Sequence, residues 1–202
     1  MIKITLPDES VKEFENGVTP YEIAKSISEG LARNVLAAKV NGAIVALNYA
    51  ISEDATVKLL TWNDAEGKEV FWHSSAHLMA AAIKKLYPTA KLGIGPAIEN
   101  GFYYDIDFMD NTISSDDFPA IEAKMLEIAQ SKAQYVRKEV SKKEALDYFT
   151  SIGNEYKVEL INDLEDGTIT FYDTADFVDL CRGPHLFDTA SIKAIKLLNT
   201  AG

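Results

Sequence analysis

Of 202 residues, one is cysteine and three are histidine. A lone thiol excludes an internal disulfide and accords with a reducing compartment. Long apolar runs are also missing. The stretch from 35 to 51 is broken by Lys39, Asn41 and Asn48, short of the ~18 apolar residues that cross a bilayer. The opening Met1 to Pro7 has no basic region leading into an apolar one, so no signal peptide is expected and a soluble, cytoplasmic protein is. Basic charge is scarce: 20 Lys and Arg stand against 31 Asp and Glu, a net charge of −11. Residues 1–62, with six basic and eight acidic side chains, carry little of that excess. Such a balance argues against broad, non-specific gripping of nucleic acid, which needs a basic surface to displace counterions. It leaves room for a pocket holding one nucleotide end. There is no Walker-type phosphate loop, and Gly93-Ile94-Gly95-Pro96 is too short for a dinucleotide fingerprint. No internal repeat and no low-complexity tract is present.

What is there is 47% hydrophobic and 25% charged, enough for one or two globular cores. Residues 1–62 read as a small unit. Ile2, Ile4 and Leu6 alternate with polar residues, a turn follows at Pro7 to Ser10, and residues 11–14 return as a hairpin partner. Thr19-Pro20-Tyr21-Glu22 combines a capping threonine, proline at the first helical position and glutamate at the third, so a helix starts there and stops near Gly30. Strands are expected at 37–40, 43–46 and 57–60, with Asn41-Gly42 as a hairpin signal. This pattern predicts a ubiquitin-like, β-grasp half-barrel. Residues 62–68 read as a linker. Beyond them the pattern predicts a helix over 69–86, strands at 91–94 and 102–108, a helix over 118–132, and a strand at 135–140. A capped helix from Ser141 to Gly153 follows, then strands at 157–161, 168–172 and 192–198. The second part is α+β with a mixed antiparallel sheet.

The scarce residues fall into two pairs with the same spacing, His73…His77 and Cys181…His185. On a helix an i, i+4 pair shares one face, about a turn apart. A zinc-protease motif fails at once, because Ser74 stands where that mechanism needs a glutamate base. The four donors together can ligate zinc. They can equally build a metal-free acid–base pocket, or each can hold a plain structural place. Lys157 starts a predicted strand leading toward the cysteine segment. Asp179 reads as a loop or cap carboxylate, Tyr104 as part of an aromatic strand, and Arg182 as a phosphate contact or a surface charge.

These residues lie in motifs that resemble the N-terminal portion of bacterial threonyl-tRNA synthetases over essentially the whole chain. Residues 1–62 resemble the TGS domain through the segment from Ile2 to Ser10 and through Thr19-Pro20-Tyr21-Glu22-Ile23-Ala24. Residues 63–202 resemble the editing domain through His73 to Ala80, Gly101 to Asp107, Glu155 to Glu159, and Asp179-Leu180-Cys181-Arg182-Gly183-Pro184-His185. The resemblance implies a fragment without the class II aminoacylation core, its ATP site or its zinc, and so without ligase activity. It implies post-transfer editing, hydrolysis of seryl-tRNA(Thr), with the serine-bearing 3′ end of tRNA(Thr) as partner and no membrane. The fragment is then expected to be a monomer, and the full-length enzyme a homodimer through the missing core.

By the same resemblance His73 and Lys157 activate and orient water, while His77, Cys181 and His185 shape the pocket. Tyr104, Asp179 and Arg182 contact substrate or support those that do. No cofactor is expected for editing, with zinc at His73, His77, Cys181 and His185 as the alternative. Two rival readings are a zinc-dependent, alanyl-type trans-editing hydrolase and a non-catalytic tRNA-binding module.

Overall fold

The computed structural model describes residues 1–201, and the chain divides into two compact units. The first comprises Met1–Trp72 with the short segment Pro184–Phe187, the second His73–Gly183 with Asp188 onward.

In the first unit β1 (Ile2–Thr5) and β2 (Val11–Phe14) form the expected hairpin. The helix α1 (Pro20–Ile27) begins at the Thr19 capping box and ends before Gly30, at a Ser28 that itself caps a second helix, α2 (Glu29–Asn34). Ser28 stops one helix because its backbone is extended, and its side chain accepts the Leu31 N–H of the next. β3 (Val35–Val40) and β4 (Ala43–Val45) turn at Asn41-Gly42, both at positive φ, the conformation a tight hairpin of this kind requires. β5 (Ala55–Thr61) pairs parallel with β1 and antiparallel with β3, giving one mixed sheet in the order β2-β1-β5-β3-β4. Ile4, Ile23, Ala38 and Val57 form the core between this sheet and α1.

Residues 65–68, expected as linker, are helical. The helix α3 (Ala65–Leu86) starts there, with the Asp64 carboxylate accepting the Thr61 N–H and the Lys68 N–H donating to the Asp64 carbonyl. The division between the compact units falls within α3, after Trp72. From Ser74 to Ile83 every residue of α3 is buried. Small side chains (two Ser, four Ala) let neighbours close around it, as befits a helix buried on all sides.

The remaining elements of the second unit are α+β. β6 (Lys91–Leu92) pairs with β9 (Ile106–Asp107), and β7 (Ala97–Ile98) with β8 (Gly101–Phe102). The strand expected over 102–108 is therefore broken, and Tyr104 lies in the connection between two short ladders. Next come α4 (Phe118–Gln130), β10 (Val136–Glu139), α5 (Lys142–Ser151) and α6 (Glu155–Asn162). α6 replaces the strand expected at 157–161. Asn154 caps it, and Lys157 and Ile161 are buried one turn apart on one face. β11 (Thr170–Thr174) and β12 (Phe177–Leu180) complete an antiparallel sheet in the order β10-β11-β12. Asp179 thus stands on a strand and not in a loop. The strand expected at 192–198 does not form: a 3₁₀ turn at Thr189–Ser191 leads into irregular chain held where the Leu197 N–H donates to Glu122. Phe149, Ile161, Ile169 and Phe171 fill the core between this sheet and the α5–α6 pair. No described helix is long and apolar enough to cross a membrane.

Candidate active site

α3 presents His73 and His77 one turn apart, their rings edge to face with centroids 5.2 Å apart. A buried Tyr135 hydroxyl donates to the Ser74 carbonyl at 2.8 Å, fixing the helix just where the first histidine projects. β12 runs into the cysteine segment and delivers Asp179 and Cys181. The Cys181 N–H donates to the Thr170 carbonyl, and Thr170 Oγ1 donates back to the Cys181 carbonyl, so β11 clamps this segment from both sides. The Cys181 sulfur lies 3.2 Å from His73 Nε2 and accepts the Gly183 N–H at 3.2 Å. Gly183 has φ +68, and a Cβ there would overlap the Tyr172 hydroxyl, so both backbone and space demand glycine.

Asp179 is the hub. Its carboxylate receives Lys157 Nζ at 2.6 Å and the Tyr104 hydroxyl at 2.6 Å, and His77 Nε2 stands 3.6 Å away. Asp179 and Lys157 are each 2% exposed. Burial pushes the Asp179 carboxyl up, but Lys157, His77 and the Tyr104 bond outweigh it and hold the group below its ordinary range. Burial pulls His73 down against the pull of Asp179, and takes His77 to about 3. It pushes the Cys181 thiol up to about 12 and Tyr104 well above its ordinary value. At neutral pH the set is one ion pair, Lys157–Asp179, surrounded by two neutral imidazoles, a thiol and a phenol.

The Tyr104 ring that reaches Asp179 packs close against Gly95, where any Cβ would overlap it. His185 is fully buried, and one ligating atom from each of His73, His77, Cys181 and His185 lies within 4.8 Å of the others. Tetrahedral zinc with bonds of about 2.0–2.3 Å sets its donors about 3.3–3.8 Å apart, so this donor set fits the ion after a small contraction. A carboxylate beside one histidine, as Asp179 is beside His77, is the usual outer support of such a ligand. Arg182 is exposed, away from these bonds. The structure therefore brings His73, His77, Lys157, Tyr104, Asp179, Cys181 and His185 together and leaves Arg182 outside. No role in the site was read from sequence for Asn154, Gly95, Gly183 or Tyr172. An Asn directly after Gly153 and three residues before Lys157 was a readable capping signal.

A family model of the TGS domain matches residues 2–61, and one described as the threonyl and alanyl tRNA synthetase second additional domain matches residues 169–202, which hold Asp179, Cys181 and His185. The chain thus carries a TGS domain and, toward its other end, a segment of the tRNA synthetase second additional domain. Over its whole length it is homologous to the N-terminal region of bacterial threonine–tRNA ligases. It is 62% identical to that of Cytophaga hutchinsonii, 57% to that of Parabacteroides distasonis and 54% to that of Flavobacterium psychrophilum, in each case over all of this chain. It spans 31% of the length of these relatives.

Proposed function

We propose that residues 63–202, the editing domain, hydrolyse the ester of seryl-tRNA(Thr), residues 1–62 being the TGS domain. The observation that supports this most is the buried Lys157–Asp179 pair beside a neutral His73, in a chain homologous to threonine–tRNA ligases. Serine and threonine differ by one methyl, worth only ~1–3 kcal/mol of discrimination, so a ligase specific for threonine leaks serine and needs a second sieve. In this reading water attacks the ester carbonyl while neutral His73 takes its proton. Lys157 offsets the developing negative charge in a site sheltered from solvent, where that charge is most costly. The ester C–O bond breaks, and the 3′ oxygen recovers the proton, leaving serine and a free tRNA end. Tyr104 and Asp179 hold Lys157, His77 and His185 shape the pocket, and the exposed Arg182 meets a phosphate of the tRNA end. Cys181 does not attack: a thiol pushed up to about 12 has almost no thiolate at neutral pH.

The test is single-turnover deacylation of Ser-tRNA(Thr) beside Thr-tRNA(Thr). Serine is released much faster; equal rates on the two esters overturn the sieve. His73→Ala and Lys157→Ala each slow release by about 10²–10⁴-fold, and Cys181→Ser is milder. A trapped seryl thioester on Cys181 would overturn the water route.

The donor cluster supports a second reading, in which zinc is held by His73, His77, Cys181 and His185. Zinc would supply acidity to a bound water. Elemental analysis of the purified chain decides between them: one zinc per chain, lost together with activity in each of the four ligand variants, favours this reading.

A further inference from the structure

Lys157 reaches Asp179 from an improbable place. It stands in the first turn of α6, a helix of eight residues, where the positive end of the helix dipole repels a cation. Its ammonium is buried, and a buried ion keeps its charge only while its partner stays in close register. A short helix does not supply that register by itself. One side chain outside the proposed reaction does.

Asn154 is a buried amide, 7% exposed, with every polar group engaged. Its side-chain oxygen accepts the Lys157 N–H at 3.3 Å, and its side-chain nitrogen donates to the Leu92 carbonyl at 3.1 Å. Its backbone N–H donates to the Phe149 carbonyl at 2.9 Å and its own carbonyl accepts the Val158 N–H at 3.2 Å. One residue thereby ties the end of α5, the edge strand β6 and the first turn of α6. Gly153, with φ +65, makes the reversal that brings it there. Asn154 and Asp179 also line a common cavity of about 20 Å³, room for about one water. Shortening Asn154 enlarges that space and opens the ion pair to solvent.

We infer that Asn154 is a positioning residue for Lys157: its two-sided amide sets where α6 begins, and so where the lysine ammonium meets Asp179 and the reacting ester. The inference rests on the proposed hydrolysis for its kinetic readout, but not for its structural one.

The experiment uses the full chain with Asn154→Ala, Asn154→Asp and Lys157→Ala, plus Ser141→Ala as control. Ser141 caps α5 through the Glu144 N–H and lies apart from the site. Asn154→Ala slows single-turnover release of serine by about 10–100-fold, the scale of a displaced catalytic group, with little change in KM. Asn154→Asp keeps the acceptor for the Lys157 N–H and restores part of the rate. Ser141→Ala loses a comparable cap yet keeps the rate. Combined with Lys157→Ala, Asn154→Ala brings no further loss. Independently of substrate, the slowly exchanging Nζ protons of Lys157 are seen by nitrogen-15 NMR in the parent chain and are lost or broadened in Asn154→Ala. Full-strength Nζ signals in that variant, or rate losses that multiply with Lys157→Ala, overturn the inference. Failure of the parent chain to release serine while the Nζ signals respond as stated overturns the proposed hydrolysis and leaves the positioning role standing.

Discussion

His77 shows how a single residue sets the pH range of the fold. Its folded pKa lies at about 3, below the ordinary 6.5, chiefly because burial disfavours the cation. The unfolded chain therefore takes up a proton from about pH 6.5 downward while the folded chain resists. The stability this residue contributes is full above pH 6.5 and declines as pH falls toward 3. Asp179 adds to the acid loss at the lower end, since its folded pKa is depressed and its stabilisation disappears as pH drops through that value. Cys181 works from the other side. Its thiol, raised to about 12, favours the fold below the ordinary 9 and less as pH climbs between the two. Maximal stability is expected on a plateau between about pH 6.5 and 9. His77→Gln, which cannot ionise, should flatten the acid limb between pH 6.5 and 4. Urea unfolding at stepped pH measures this, and an unchanged acid slope would remove His77 as its cause.

At the scale of elements, α1 shows how a local signal becomes a stabilising contact. Glu22 accepts both the Thr19 N–H at 2.8 Å and the Thr19 hydroxyl at 2.9 Å, while its own N–H donates to Thr19 Oγ1 at 3.3 Å. The cap lets α1 lay Ile23 and Ala24, both fully buried, against the sheet. Thr19→Ala should cost about 0.5–2 kcal/mol, several degrees in the melting of a unit this size. Serine release below the transition should stay at the parental rate; calorimetry and deacylation of the same sample check both halves. This helix and the Asn41-Gly42 hairpin were legible because each carries its own turn chemistry within a few residues. α6 was not. Tyr156, Val158 and Leu160 alternate with charged residues and imitate a strand, although all face outward enough to be at least partly exposed, while Lys157 and Ile161 are buried. Over eight residues the two periods are hard to tell apart, and tertiary burial of a lysine reverses the usual hydrophobic code. β12 was hidden because its hairpin turns at Ala175-Asp176, both at positive φ, without the glycine that normally marks such a turn. The donor residues of the site were legible through their rarity and spacing. The hydrogen bonds that converge on Asp179 depend on contacts 22 to 75 residues apart in the chain, which no local pattern carries.

At the scale of the whole molecule, charge bears on how the proposed tRNA end would be held. With a net charge of −11, the chain has no surplus of cations to exchange for phosphate counterions. Much of the basic charge is already matched within the protein: Lys39 with Glu66, Lys58 with Asp64, Lys91 with Glu155, Lys138 with Glu144 and Lys143 with Asp147. Exposed pairs of this kind add little stability, but they blunt the positive potential that would steer a polyanion. The acceptor end should therefore be held through one or two phosphate contacts, Arg182 among them, and otherwise through the pocket. Each duplex phosphate neutralised adds about −0.9 to the slope of log K against log salt, so two contacts give about a tenfold loss between 50 and 200 mM salt, against the 10³–10⁵ lost by proteins with six to ten. The expected result is that kcat/KM for serine release from Ser-tRNA(Thr) falls by about tenfold or less over that range, and that Arg182→Ala makes the slope shallower still. A thousandfold loss would mean that the chain gathers a basic face its pairing pattern conceals. A slope unaltered by Arg182→Ala would place the phosphate contact elsewhere.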